Sequence, residues 1–307
     1  MKLKRVGCHS RISQLIDVAA LSHTSQRRSL GNPSAGTSRA RSPLRRLSVG
    51  KDAMALASCF SPPFRPPLCA GGRSLSPVAC ACAQTAATAP AAPSLPKALP
   101  AILDSRLIAC VRAQDGNTAM EAACAALSGG ISVLEIVMST PGVLEVIRGL
   151  LKDYPSSVIG VGTVLNAEDA RKAVKAGAQF LMSPGTVMEI LLDLQNTDVL
   201  YIPGAMTPTE VLFAYNAGAR IIKIYPVSVL GGCDYIKALK KPFPHIPVVA
   251  SQGITTDSIG NYIECGASAV VLSDAIFEKE AMRQRNFDVI HRLAHLATRQ
   301  VGQAGKC

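Results

Sequence analysis

Residues 158–183 read VIGVGTVLNAEDARKAVKAGAQFLMS, and this stretch decides the fold. It opens on a short β-branched apolar run, 158–164. A polar Asn166-Ala167-Glu168 step then begins a segment of helical period, 167–176, which stops at Ala176-Gly177. A second apolar run follows at once, 180–183. An apolar run, a helix ending on glycine and another apolar run make a β-α-β unit with parallel strands, because runs apolar on both faces need helices over both sides.

Outward from this unit the same phrase repeats. Apolar runs lie at 107–112, 133–138, 199–203, 221–226, 247–251 and 269–273, making eight with the first two. Helical patterns lie between them, among them 118–127, 209–216 and 256–265. Several close on Gly129-Gly130, Gly218 or Gly266, and Thr207-Pro208-Thr209-Glu210 has the form of a helix opening. Eight such units in about 200 residues predict a (β/α)8 TIM barrel. An open doubly wound sheet is the alternative, weakened by the lack of GxGxxG after the first run.

The chain has 307 residues and a net charge of +11, but the charge is not in the barrel. Residues 1–98 hold 14 Lys and Arg against Asp17 and Asp52 alone, and the remainder is close to neutral. A nucleic-acid surface needs its basic excess where the fold is, so no nucleic-acid partner is expected. The first 98 residues are rich in Arg, Ser, Ala and Pro, which is organellar transit-peptide composition. From Met54, a second possible start, the segment resembles a chloroplast transit peptide, and Val78-Ala79-Cys80-Ala81 resembles a plastid processing site. The expected organisation is a leader over 1–82, a linker over 83–98, the barrel over 99–300 and a tail over 301–307, in the plastid stroma. No apolar run reaches 18 residues, so no membrane helix is expected. Five of the ten cysteines lie in the leader. Cys110, Cys124 and Cys265 read as core fillers, and no zinc or disulfide pattern is present.

In a barrel the chemistry sits at the C-terminal strand ends. Lys223 stands inside Ile221-Ile222-Lys223-Ile224-Tyr225-Pro226, where burial disfavours the ammonium and favours an amine able to attack a ketone. From spacing alone, a lysine snorkelling to water at a strand end is the commoner case. Glu135, in Val133-Leu134-Glu135-Ile136, reads as a proton carrier, as one half of a buried ion pair with Lys223 or Arg112, or as both at once. Gly160-Val161-Gly162-Thr163 offers glycines for close substrate approach and a hydroxyl to bind it. Arg112 ends the first run and has a fork suited to a carboxylate. His245 and His291 read as ordinary surface or helix histidines, and Met138 and Met182 as core.

These motifs, in order, resemble the 2-keto-3-deoxy-6-phosphogluconate and 4-hydroxy-2-oxoglutarate aldolase family over about residues 100–300. They include Cys110-Val111-Arg112-Ala113, Leu134-Glu135-Ile136, Gly160-Val161-Gly162-Thr163-Val164, Ser183-Pro184-Gly185, Ile202-Pro203-Gly204, Lys223 with Pro226, and Gly253-Ile254. The resemblance implies a class I aldolase, usually trimeric, acting on a keto acid without metal or cofactor. It makes Lys223 the Schiff-base lysine and Glu135 the general acid/base. Thr163, Arg112, Pro184, Gly253 and Ser273 become substrate contacts. A non-phosphorylated substrate such as 4-hydroxy-2-oxoglutarate, and a barrel without catalysis, are the competing readings. The chain departs from the family at the phosphate end, with Gln252 in place of a glycine and Asp274 beside Ser273. Ser139 stands where many members have arginine.

Overall fold

The computed structural model describes residues 96–304. The leader, its Met54 start, the 78–81 run and most of the linker lie outside the described residues, as do 305–307.

Nine strands form one all-parallel sheet. They are β1 (Leu107–Val111), β2 (Val133–Val137), β3 (Val158–Gly162), β4 (Phe180–Met182), β5 (Leu200–Ile202), β6 (Gly204–Ala205), β7 (Ile222–Ile224), β8 (Val248–Ser251) and β9 (Ala269–Leu272). Their spatial order is β5-β4-β3-β2-β1-β9-β8-β7-β6. The edge strands β5 and β6 are consecutive in the chain, with only Pro203 between them. One run therefore pairs with β4 through its first half and with β7 through its second. The chain itself closes the ring, and the eight runs of the sequence become a (β/α)8 barrel. Proline suits this joint because it has no N–H to leave unpaired; its carbonyl accepts from Lys223 N at 2.8 Å.

The side chains sort into two cores by strand alternation. Outward residues such as Leu134, Ile136, Ile222 and Ile224 pack under the helices. Inward residues, Ile108, Val133, Phe180, Met182, Ile202 and Val249 among them, fill the barrel. Gly160 leaves room for the Phe180 ring, which a Cβ there would meet at 2.5 Å. Met182 is core as expected, whereas Met138 is only half-buried.

The helix signals hold. Asn166 caps the helix Ala167–Lys175 by accepting from Asp169 N at 2.8 Å, and Thr207 with Glu210 forms a capping box. Gly177, at φ 102°, turns the chain out of its helix where a side chain would be strained.

Two helices go beyond the sequence reading. A helix over Ala98–Ser105 buries Ala98, Leu99 and Ile102 among the inward residues and closes the N-terminal end of the barrel. The linker thus gives way to structure before Leu99. The last helix, Phe287–Ala304, continues past residue 300 into the segment read as a tail. It packs on the helix Gly116–Ser128 so closely that a Cβ on Gly129 would sit 2.6 Å from His291 O. No described helix is long and apolar enough to cross a membrane.

Candidate active site

All seven residues singled out in the sequence line one cavity of about 690 Å³ at the C-terminal strand ends. Glu135 and Lys223 come from β2 and β7. Arg112, Thr163, Pro184, Gly253 and Ser273 follow β1, β3, β4, β8 and β9.

Lys223 lies between Ile222 and Ile224, both in the outer core, so its side chain points into the barrel. It is 6% exposed, and Nζ stands 5.3 Å from the Tyr225 ring centroid, a cation–π distance. Glu135 points inward for the same reason and is 1% exposed. Among the described residues neither takes part in an ion pair within the 4.0 Å limit, so the ion-pair reading of Glu135 fails. Glu135 Oε2 also has no hydrogen-bond partner among them. A buried carboxylate in this condition needs a polar partner from the cavity.

The glycines of β3 serve the protein rather than the substrate. A Cβ on Gly162 would lie 1.4 Å from Glu135 Oε1, so the carboxylate occupies the space a side chain would take. The Ile202-Pro203-Gly204 motif has a similar cause. A Cβ on Gly204 would meet the Pro184 carbonyl group at 2.2 Å, and glycine lets that loop pass. Ser183, before Pro184, is fully buried. Its hydroxyl donates to Val164 O at 2.5 Å and accepts from Tyr201 Oη at 2.9 Å, which pins the loop.

Thr163 and Gln252 both carry positive φ, 57° and 86°. A β-branched residue in that region is a genuine outlier, and such strain gathers at functional sites. The Gln252 side-chain oxygen accepts from Ser228 Oγ.

The rim near Ser273 holds two further contacts. Asp274 faces Lys279, with Nζ 3.5 Å from Oδ2. Arg112 is exposed and donates to Ser139 Oγ at 3.0 Å. Arg112, Ser273 and Asp274 also border a neighbouring cavity of about 630 Å³. Tyr225, Ser251 and Cys110 also line the main cavity. Cys110 packs against the inner core as expected and also borders the cavity, and Cys265 is buried. His245 packs edge-on against Tyr215, away from the cavity. Among the described residues no cluster of three or more His, Cys, Asp or Glu is placed to hold a metal.

A parallel barrel with a buried lysine and a buried carboxylate at its mouth has the build of a barrel aldolase. The model of the KDPG and KHG aldolase family matches residues 101–293, and the chain belongs to that family of carbon–carbon lyases. The KHG/KDPG aldolase of Escherichia coli K12 is 28% identical over 179 residues, 58% of this chain and 84% of that protein. The 2-dehydro-3-deoxy-phosphogluconate aldolase of Pseudoalteromonas atlantica is 30% identical over 192 residues, 62% and 88% of the two chains. Among solved structures, the KDPG aldolase of Legionella pneumophila, with pyruvate captured as a covalent carbinolamine, is 27% identical. It superposes with a TM-score of 0.60 over 64% of this chain and 95% of that one.

Proposed function

We propose that the chain is a class I aldolase cleaving 2-keto-3-deoxy-6-phosphogluconate to pyruvate and glyceraldehyde 3-phosphate. The observation that carries this is the pair Lys223 and Glu135, both buried, neither ion-paired among the described residues, facing one cavity. The neutral Lys223 amine adds to the C2 ketone. Glu135 moves protons as the carbinolamine loses water to an iminium. Glu135 then takes the C4 hydroxyl proton while the C3–C4 bond breaks and its electrons flow into the iminium. The aldehyde leaves, the enamine is protonated at C3, and water releases pyruvate and free Lys223. Pro184 and Thr163 border the pyruvate moiety; Arg112, Gly253 and Ser273 border the distal end. Borohydride trapping with pyruvate tests the proposal. A reduced adduct on Lys223 is expected, and its absence would return the chain to a barrel without catalysis.

Gln252 and Asp274 favour a second reading, a non-phosphorylated substrate such as 4-hydroxy-2-oxoglutarate. A carboxylate near a phosphate costs about 1–4 kcal/mol, or roughly ten- to a thousand-fold in binding. Lys279 offsets part of that, though the pair is exposed, at 85% and 71% for the two side chains, and such pairs are weak. Preference for the phosphorylated acid in kcat/KM should therefore stay below about a thousand-fold. A larger ratio, or no response to Gln252→Gly with Asp274→Gly, would place phosphate recognition elsewhere on the rim.

A homotrimer is part of the proposal. Met206 and Phe213 are exposed and border one cavity beside the helix Pro208–Asn216, which also exposes Leu212, and apolar surface of this kind suits a second copy. A designed cage built by fusing symmetric oligomeric domains is 27% identical, with a TM-score of 0.56. Light scattering should give three chain masses, and Phe213→Glu should lower that to one; a monomeric wild type would refute it. The leader composition supports import into plastids. The N-terminus of protein isolated from the stroma should fall between about residues 78 and 100, and recovery of residue 1 in a cytosolic pool would exclude import.

A further inference from the structure

One polar group on the inward face of β1 takes no part in the cycle above: the Cys110 thiol. Its neighbours Ala109 and Val111 belong to the outer core and Ile108 to the inner one, so Cys110 points into the barrel. Its Cα is the register partner of Glu135 across the β1–β2 pair. The thiol is half-buried and lines the cavity with Glu135, Lys223 and Arg112. On the opposite flank of Glu135 lies Gly162, where even a Cβ would fall 1.4 Å from Oε1. The carboxylate is therefore held between a thiol on β1 and bare backbone on β3.

We infer that Cys110 is a positioning residue whose thiol holds the Glu135 carboxylate over Gly162 and aims it at the carbons bound to Lys223. The inference rests on the reading of Glu135 as the proton carrier. Its chemistry is consistent with the thiol's surroundings. Burial first, and then the charge of Glu135, push the Cys110 thiol well above its usual pKa, against the smaller opposite pull of Lys223 and Arg112. The sulfur thus stays protonated, able to donate weakly to the carboxylate. It is also silent as a nucleophile, because the thiolate is the attacking form, so it does not compete with Lys223 for a ketone or capture the aldehyde product.

A double-mutant cycle between Cys110→Ala and Glu135→Gln tests this, read as kcat, KM and trapping with pyruvate and borohydride. In the otherwise native enzyme, Cys110→Ala should lower kcat roughly tenfold, with KM and the Lys223 adduct little changed. Cys110→Ser, which keeps a donor, should recover most of the loss. In the Glu135→Gln enzyme, Cys110→Ala should have no further effect, since the group it positions no longer carries protons. Should Cys110→Ala fail to fold, Cys110→Val fills the site without a donor and takes its place against Cys110→Ser. An unchanged kcat, or the same loss in both backgrounds, overturns the inference while leaving Glu135 in its role. Full activity of Glu135→Gln overturns both.

Discussion

Lys223→Arg is expected to lower cleavage by on the order of 10³-fold or more, the scale of loss when a covalent nucleophile is removed. Arginine keeps the positive charge, but its guanidinium stays protonated and cannot form the iminium. The fold should survive, because the inward position on β7 opens on a cavity that accommodates the longer side chain. The adduct must also map correctly. Lys240 is the instructive control: burial lowers its pKa, so titration alone makes it a candidate. Its Nζ, however, donates to the carbonyls of Pro244 and Ile246 at 3.0 and 2.7 Å, in the loop that enters β8, at the far end of the barrel from the cavity. Peptide mapping that found the reduced pyruvate on Lys240, or on exposed Lys237, would end the assignment of Lys223.

Glu135→Gln should cost about 10²–10⁴-fold in kcat, the usual worth of a positioned proton carrier. The substitution keeps the shape that fits over Gly162, so pyruvate should still bind and still be trapped slowly on Lys223. Its effect on stability should be neutral or favourable. A carboxyl group buried without an ion pair is a burden on the fold, and an amide of the same shape is a smaller one. A thermal melt settles the matter. A sharply lowered Tm, together with undiminished turnover by the folded fraction, would make Glu135 a structural residue.

Much of the barrel was legible because each strand is a short β-branched run apolar on both faces, a pattern few other folds demand. The two charged residues that break such runs, Lys223 and Glu135, stood out for the same reason. The run at 199–203 hid its continuation, because Pro203 interrupts the ladder and only the spatial order of the strands shows that 204–205 belong to the same staple of the ring. The helix Ala98–Ser105 was concealed by Pro96, which falls in the stretch read as linker, and by Pro100, yet proline is tolerated before and within a first turn. Cys110 looked like filler because a thiol in an apolar strand gives no polar signal; only its register with Glu135 changes its meaning. Gly160 and Gly162 were misread, since whether a glycine makes room for a ligand or for a neighbouring side chain depends on strand stagger. The contact of Arg112 with Ser139 joins two different loops, which local pattern cannot foresee.

Among the described residues, the helix Ala98–Ser105, seated on the inward side chains, stops one end of the barrel and leaves the cavity at the other end as its doorway. In the proposed cycle everything must use that doorway in turn. The aldehyde fragment, nearest the opening, must depart before a water molecule can come in to free the pyruvate behind it. Product release is then a queue, aldehyde first and pyruvate last. Added aldehyde meets a tethered enamine and drives the reaction backwards, whereas added pyruvate competes for the empty enzyme.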